Sequence, residues 1–344
     1  MKKIFVFFLC LCLPLATHAE DKILNLYAWT GEISDSVIRR FEKETGIKVN
    51  FSVFENNEVM YAKIRASENA GYDLVTPSSY FVERMARQQL IEKLDKSKLP
   101  NLVNITKDFA NPSFDPQLQH CVPYVWGVTG IFYNDQYYHS ADLQKWTDLW
   151  NKQFNNKLLL LDDMREVFSM TLLSLGYSAN DQNPQHIQAA FLQLKKLMKN
   201  IKMFSTETVI SIMIDEDATV GMSWNGDAFK AHAENPHMQF VYPKDGFVVW
   251  VDNLAIPRNA RHREAAYQFI NFILRPEIAK EMALANNFAT ANAAGMKLLP
   301  PAIRNNTIIY PSADVMKRAH FQADIKDETL ALYAKYWEEL KISG

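Results

Sequence analysis

The sequence predicts an α/β protein of two lobes, each on a mainly parallel sheet, with a hinge and a central cleft. Three observations carry that prediction. Strand-like and helix-like patterns alternate from the start of the mature chain. The length suffices for two cores of about 150 residues each. Segments also cross between two sets of elements more than once, as a hinged pair of lobes requires. Strands that alternate with helices are joined by crossovers, which lay them parallel and cover both faces. Ligands of such sheets sit outside the carboxyl ends of the strands.

Residues 22–27 read as the first strand, with Ile23, Leu24 and Leu26 apolar. Val37, Ile38 and Phe41 have helical spacing from Ser34 onward, and Gly46 is placed to stop that helix. Ile47, Val49, Phe51 and Val53 alternate, the mark of a half-buried strand. A helix over 58–66 follows, then a strand at 72–75 that runs into a turn at 76–80. A second unit begins near 126–130. Its strands are expected at 130–133, 157–161, 218–223 and 238–242, with helices at 167–175 and 187–198. Residues 250–256 cross back to the first unit. The helix 263–274, broken before Pro276, packs there by Ala266, Phe269, Ile270 and Ile273. The division that results is 20–127 plus 251–296 for one lobe and 128–250 plus 297–344 for the other.

Residues 1–19 have the order of a cleavable secretory signal: Lys2 and Lys3, an apolar run over 4–15, then Thr17-His18-Ala19 before Glu20. The apolar run is too short for a bilayer, which needs ~20 residues of helix. Cys10 follows Leu9 and Cys12 follows Leu11, where lipid attachment wants a small residue, so a free soluble protein is expected. The mature chain keeps Cys121 alone, which excludes an internal disulfide. Loss of Lys2 and Lys3 takes the formal charge from −2 to −4. That balance argues against nucleic acid as a partner and gives little steering of cations, so selectivity has to come from a local site. A monomer is the default expectation.

Trp250-Val251-Asp252 is the most informative stretch. Residues two apart on a strand share a face, so an indole stands beside a carboxylate there. A cation satisfies both, by charge-assisted hydrogen bonds to the carboxylate and by attraction to the ring face. Taken alone, the motif is also compatible with an ordinary strand that carries one polar residue. Asp163 and Glu166 lie three apart after the apolar residues 158–161, so both carboxylates can face a cleft from a first helical turn. The same pair fits a capping box or the two carboxylates of a secreted glycosidase or other hydrolase. Trp29 with Thr30, Ser78 with Tyr80, and Trp224 follow strands and complete a set suited to an amine. Trp126 is expected to pack away from the site. Phosphate loops, dinucleotide glycine fingerprints, zinc His pairs and cysteine pairs are absent, so no metal or cofactor is expected.

With these residues in view, the chain resembles the spermidine/putrescine-binding periplasmic proteins that feed polyamine ABC transporters. The resemblance runs from Leu24 to the C-terminus. It is carried by Tyr27-Ala28-Trp29-Thr30, by residues 72–80 and 158–168, by Gly221-Met222-Ser223-Trp224-Asn225-Gly226, and by residues 250–257. It implies a type II periplasmic-binding-protein-like fold, a periplasmic location, no catalysis, and a membrane permease as partner. It further implies that Trp29, Tyr80, Trp224 and Trp250 wall a methylene chain and that Asp163 and Glu166 hold one ammonium. Asp252 would hold another amine, and Thr30, Ser78 and Gln322 would add hydrogen bonds. Three positions depart from the pattern. Gly31-Glu32-Ile33 stands where an acid and then an aromatic are frequent, with Glu32 a substitute for that acid. Phe288 stands where a tyrosine is usual, and Phe321 precedes Gln322 where a tryptophan is common. All three are expected at one end of the cleft, which leaves a triamine as first choice and a diamine as second. A polyamine sensor that docks on a membrane receptor is the alternative role.

Overall fold

One hydrogen-bonded path of strands links the whole molecule in a computed structural model that describes residues 22–66 and 71–343. The secretory signal and its two cysteines lie outside the described residues. In chain order the strands are β1 (Ile23–Trp29), β2 (Lys48–Phe54), β3 (Leu74–Val75), β4 (Cys121–Asn134), β5 (Leu158–Leu160) and β6 (Ile201–Phe204). They continue with β7 (Val220–Trp224), β8 (Met238–Val241), β9 (Phe247–Ala255), β10 (Ala289–Thr290) and β11 (Ala319–Phe321). The order across the path is β2-β1-β3-β9-β4-β7-β5-β6. The helices that matter for the site are α1 (Asp35–Thr45), α2 (Asn57–Ala66), α3 (Ser79–Arg87), α4 (Met164–Ser174), α5 (Pro184–Leu197), α6 (Val209–Ile214) and α7 (Asn225–Glu234). Beyond β9 come α8 (Arg263–Ile273) and α9 (Pro276–Asn286).

The α/β class and the elements of the first unit agree with the sequence. α1 ends where Gly46 adopts the left-handed conformation at φ 71°, which a residue with a Cβ enters at a cost. The turn after β3 is shorter than expected, because Ser78 already caps α3 and Ser79 and Tyr80 are helical. The expectation of mainly parallel sheets holds at the flanks and where β11 lies parallel to β9, but not along β4. β1 pairs parallel with β2 and β3, and β5 with β6 and β7, but the centre is antiparallel. There β4 runs against β9, β7, β8 and β10, and β9 runs against β3. The reason is that β4 leads out of the first core into the second, whereas the chain returns through β8 and then β9, so both of these run against β4. β4 and β9 are buried along almost their whole length, so neither shows the alternation that would have marked its pairing.

The apolar interior falls into two clusters. One gathers β1 to β3, α1, α3, α8, the near half of β4 and β9 along its whole length, with Phe41 in edge contact with Phe269 and Phe272. The other gathers α4, α5, β5, β7 and the helix Asp327–Ser343 around Phe168, Leu194 and Tyr333. β4 passes from Val128 in the first cluster to Ile131 in the second. Far from β4, a buried ionic link ties α3 to the segment that leads into the helix Asp327–Ser343. Arg84, 3% exposed, bonds Asp324 at 2.9 Å, Asp327 at 2.5 Å and the Ile325 carbonyl at 2.6 Å. Removing one member of a buried pair leaves the other charge uncompensated. Asp324 keeps Arg87 at 2.6 Å, so Arg84→Ala is expected to lower unfolding free energy by about 2 kcal/mol, measured by urea denaturation, with no side chain of the cleft altered.

Candidate ligand-binding site

All eleven residues singled out from the sequence line one cavity of about 240 Å³. They are Trp29, Thr30, Glu32, Ser78, Tyr80, Asp163, Glu166, Trp224, Trp250, Asp252 and Gln322. Strand ends place most of them. Trp29 closes β1, Trp224 closes β7, and Asp163 follows β5 at the start of α4. Trp250 and Asp252 share a face of β9, as alternation requires. The cavity lies between the two cores, and Trp224 packs against both.

The aromatic side chains form two surfaces. Trp29 lies against Phe54 with ring centres 4.7 Å apart. Trp250 meets Trp224 at 6.3 Å and 71°, and Phe288 at 5.0 Å and 81°. Gly127 makes this second cluster possible, because a Cβ there would stand 2.3 Å from the Trp250 ring. Tyr80 is backed by the buried Arg165, whose guanidinium carbon lies 4.9 Å from the ring centre. Arg165 also bonds Asn180 at 3.2 Å, so the charge nearest the acids is partly engaged elsewhere.

The carboxyl groups are the unusual part. Asp163 caps α4 by accepting the Glu166 N–H at 3.0 Å, so the capping reading and the cleft reading both hold for it. Glu166 does not complete a capping box, and its Oε2 is buried without a hydrogen-bond partner. Burial, with Asp163 beside it, pushes the Glu166 carboxyl up to about 8. Burial raises Asp163 as well. Asp252 accepts a hydrogen bond from Ser78 Oγ at 2.5 Å and is pushed by burial to about 6. Glu32 is buried, accepts a hydrogen bond from the Tyr124 hydroxyl, and is held well above the usual carboxylate range by burial and by Asp252.

Sequence reasoning missed four contributors. Asn57, at the start of α2, donates to Ser78 Oγ at 3.0 Å and Tyr80 Oη at 3.2 Å, and accepts the Ser78 N–H at 3.0 Å. Glu58 is pushed to about 7 by burial and then by Asp163. Asp227, in the first turn of α7, lines the cavity and is pushed to about 7 by burial. Tyr124 lies on β4. Each reads in sequence as a helix-start polar residue or a strand aromatic, and nothing local marks it otherwise. Trp126 stays out of the cavity, against Phe109 at 5.7 Å and Tyr310 at 6.3 Å. The expected grouping of the three departures is corrected in one member. Glu32 and Phe288 are neighbours, since Asn286 donates to the Glu32 carbonyl at 3.1 Å. Phe321 is 41% exposed and outside the cavity, because alternation on β11 turns it away while Gln322 turns in.

A cleft between two cores, lined with aromatic plates and buried acids, has the chemistry to hold a small cation. The family model for bacterial extracellular solute-binding proteins matches residues 36–311, and the chain belongs to that family. Within it, the chain groups with the spermidine/putrescine-binding periplasmic proteins. The one from Salmonella typhimurium is 42% identical over 327 residues, spanning 95% of this chain and 94% of that protein. A putrescine-binding periplasmic protein of Escherichia coli is 33% identical over 344 residues, spanning 94% of this chain and 92% of that protein. A spermidine/putrescine ABC transporter substrate-binding protein from Streptococcus pneumoniae has a solved structure that superposes with a TM-score of 0.79. It is 33% identical, and the match covers 93% of this chain and 98% of that one.

The raised carboxyls make the empty protein sensitive to pH. Below about 4.5 a carboxyl is protonated whether the chain is folded or not, and it imposes no penalty. As pH rises from there toward 8, the unfolded state releases the Glu166 proton while the folded state keeps it, so stability falls. Glu166→Gln is thus expected to stabilise the ligand-free protein by about 2 kcal/mol at pH 8 and by almost nothing at pH 4. Denaturant titrations at both values check this.

Proposed function

We propose that the cleft binds a polyamine in the periplasm, spermidine in preference to putrescine, and delivers it to a membrane ABC permease. The observation that carries the reading is the set of buried carboxyls between aromatic plates, with too little cationic charge nearby to balance them. A polyamine is an apolar rod with ammonium groups at intervals. Aromatic faces bury the rod, and each ammonium needs a buried acceptor to offset its desolvation. Trp29, Tyr80, Trp224 and Trp250 take the first task. Asp163 and Glu166 receive one end, Asp252 with its neighbour Glu32 a second amine, and Thr30, Ser78 and Gln322 supply hydrogen bonds. The relatives named for both polyamines are more similar than those named for putrescine alone, which supports spermidine as the first choice.

Transport implies closure. Two lobes, divided in this reading where β4 leaves the first core and where the chain returns to it through β9, close over the ligand as a monomer. The signal over 1–19 directs export, and no residue is assigned a catalytic role.

Calorimetric titration of the folded, ligand-stripped protein tests the proposal. One-to-one binding is expected for spermidine, weaker binding for putrescine, and none for maltose. Heat with maltose, or with no polyamine, contradicts it. Asp252→Ala is expected to weaken spermidine binding about a hundredfold, because it unpairs a buried ammonium. Asp35→Ala, on the exposed face of α1, serves as the surface control and is expected to stay within about twofold.

A further inference from the structure

Ser78 stands at the N-cap of α3, where a serine hydroxyl ordinarily accepts a backbone N–H of the first helical turn. Its side chain makes no such bond. Ser78 Oγ lies instead 2.5 Å from Asp252 Oδ1, and the two residues also face each other across an isolated antiparallel bridge. Asn57, at the start of α2, is spared from capping in a different way. Its neighbour Asn56 caps that helix by accepting the Val59 N–H at 2.9 Å. The Asn57 amide, on a residue only 2% exposed, turns inward to Ser78 and Tyr80.

The direction of each bond follows from which groups can donate. The Ser78 backbone N–H can only donate, so the Asn57 atom 3.0 Å from it is the amide oxygen. Asn57 Nδ2 therefore carries two protons, one directed at Ser78 Oγ at 3.0 Å and the other at Tyr80 Oη at 3.2 Å. Ser78 Oγ accepts from Asn57, and its single proton goes to Asp252, since a carboxylate only accepts.

We infer that Asn57 and Ser78 are positioning residues: Asn57 directs the Ser78 proton onto Asp252, and together they hold that carboxylate in one orientation in the empty cleft. The inference rests on the polyamine reading for its ligand and moves Ser78 from a contact of the ligand to a support of Asp252. α2, α3 and β9 all contribute to the first core, so the relay is built without any group of the second. A carboxylate fixed in advance loses little freedom when an ammonium arrives, which lowers the cost of binding. That gain explains why α3 forgoes the cap that its own serine could supply.

Two measurements test this. In spermidine titrations, Ser78→Ala is expected to lose about tenfold in affinity, the worth of a donor to a charged acceptor, and Asn57→Ala about fivefold. Repeated in an Asp252→Ala background, each change is expected to cost less than about twofold, because the group it acts through is gone. Equal losses in both backgrounds would mean direct contact with the ligand or a general weakening of the fold, and either overturns the inference. Wild-type affinity in Ser78→Ala overturns it as well. The second test follows the carboxyl carbon resonances of aspartate-labelled, ligand-free protein against pH, with Asp252 assigned by its absence from Asp252→Asn. Ser78→Ala removes a donor to the charged form and is expected to raise the Asp252 midpoint by about one pH unit. Glu32, Tyr124, Asp163 and Glu166, the titratable groups that bear on Asp252, are the same in both proteins. An unchanged midpoint overturns the inference. A wild type that failed to bind spermidine would sink the proposed function and leave the relay to be decided by this titration.

Discussion

Carboxyl groups held together out of water set the terms for this molecule. Asp163, Glu166, Asp252 and Glu32 face one cavity, with Glu58 close behind. Ionising all of them there would stack desolvation on mutual repulsion, and the fold supplies only part of the compensation. Arg165 and Arg84 lower some of these groups but do not cancel the burial that raises them. Burial does the rest in the empty state by favouring the protonated form, most of all at Glu166, and the proposed polycation would displace that proton. The site is thus stabilised for a ligand and penalised without one, a common relation between function and stability.

The architecture exists to bring those acids together from separate cores. Asp252 and Trp250 sit on a strand of the first core, whereas Asp163 and Glu166 open a helix of the second. β4 carries the chain from the first core to the second, β8 and β9 bring it back, and the cavity lies between the two cores. Local devices then fix each side chain. A helix cap orients Asp163, a glycine makes room for the Trp250 ring, and a guanidinium supports Tyr80 from behind.

Much of this was legible in the chain. Periodicity placed β1, α1, β2 and α8, and the position of Trp29, Ser78 and Trp224 just beyond strands pointed to the cavity they line. Period-2 spacing put Trp250 beside Asp252. What stayed hidden was of two kinds. Strand direction at the centre has no local signature when a strand is buried on both faces, as β4 and β9 are. Polar residues that act through tertiary neighbours look ordinary in sequence: Asn57 and Asp227 read as helix-start residues, and Tyr124 as a core aromatic. Phe321 shows the converse, since its neighbour Gln322 faces the cavity and strand alternation excludes it.

Burial keeps a proton on Glu166 in the empty cleft, and a bound ammonium would displace it. Titration of spermidine in two buffers of different ionisation enthalpy at pH 7 measures the protons released per ligand bound. Release of about one proton is predicted, because Glu166, pushed to about 8, must ionise to meet an ammonium. Tight binding with no proton released, at that pH and at pH 6, would contradict the account.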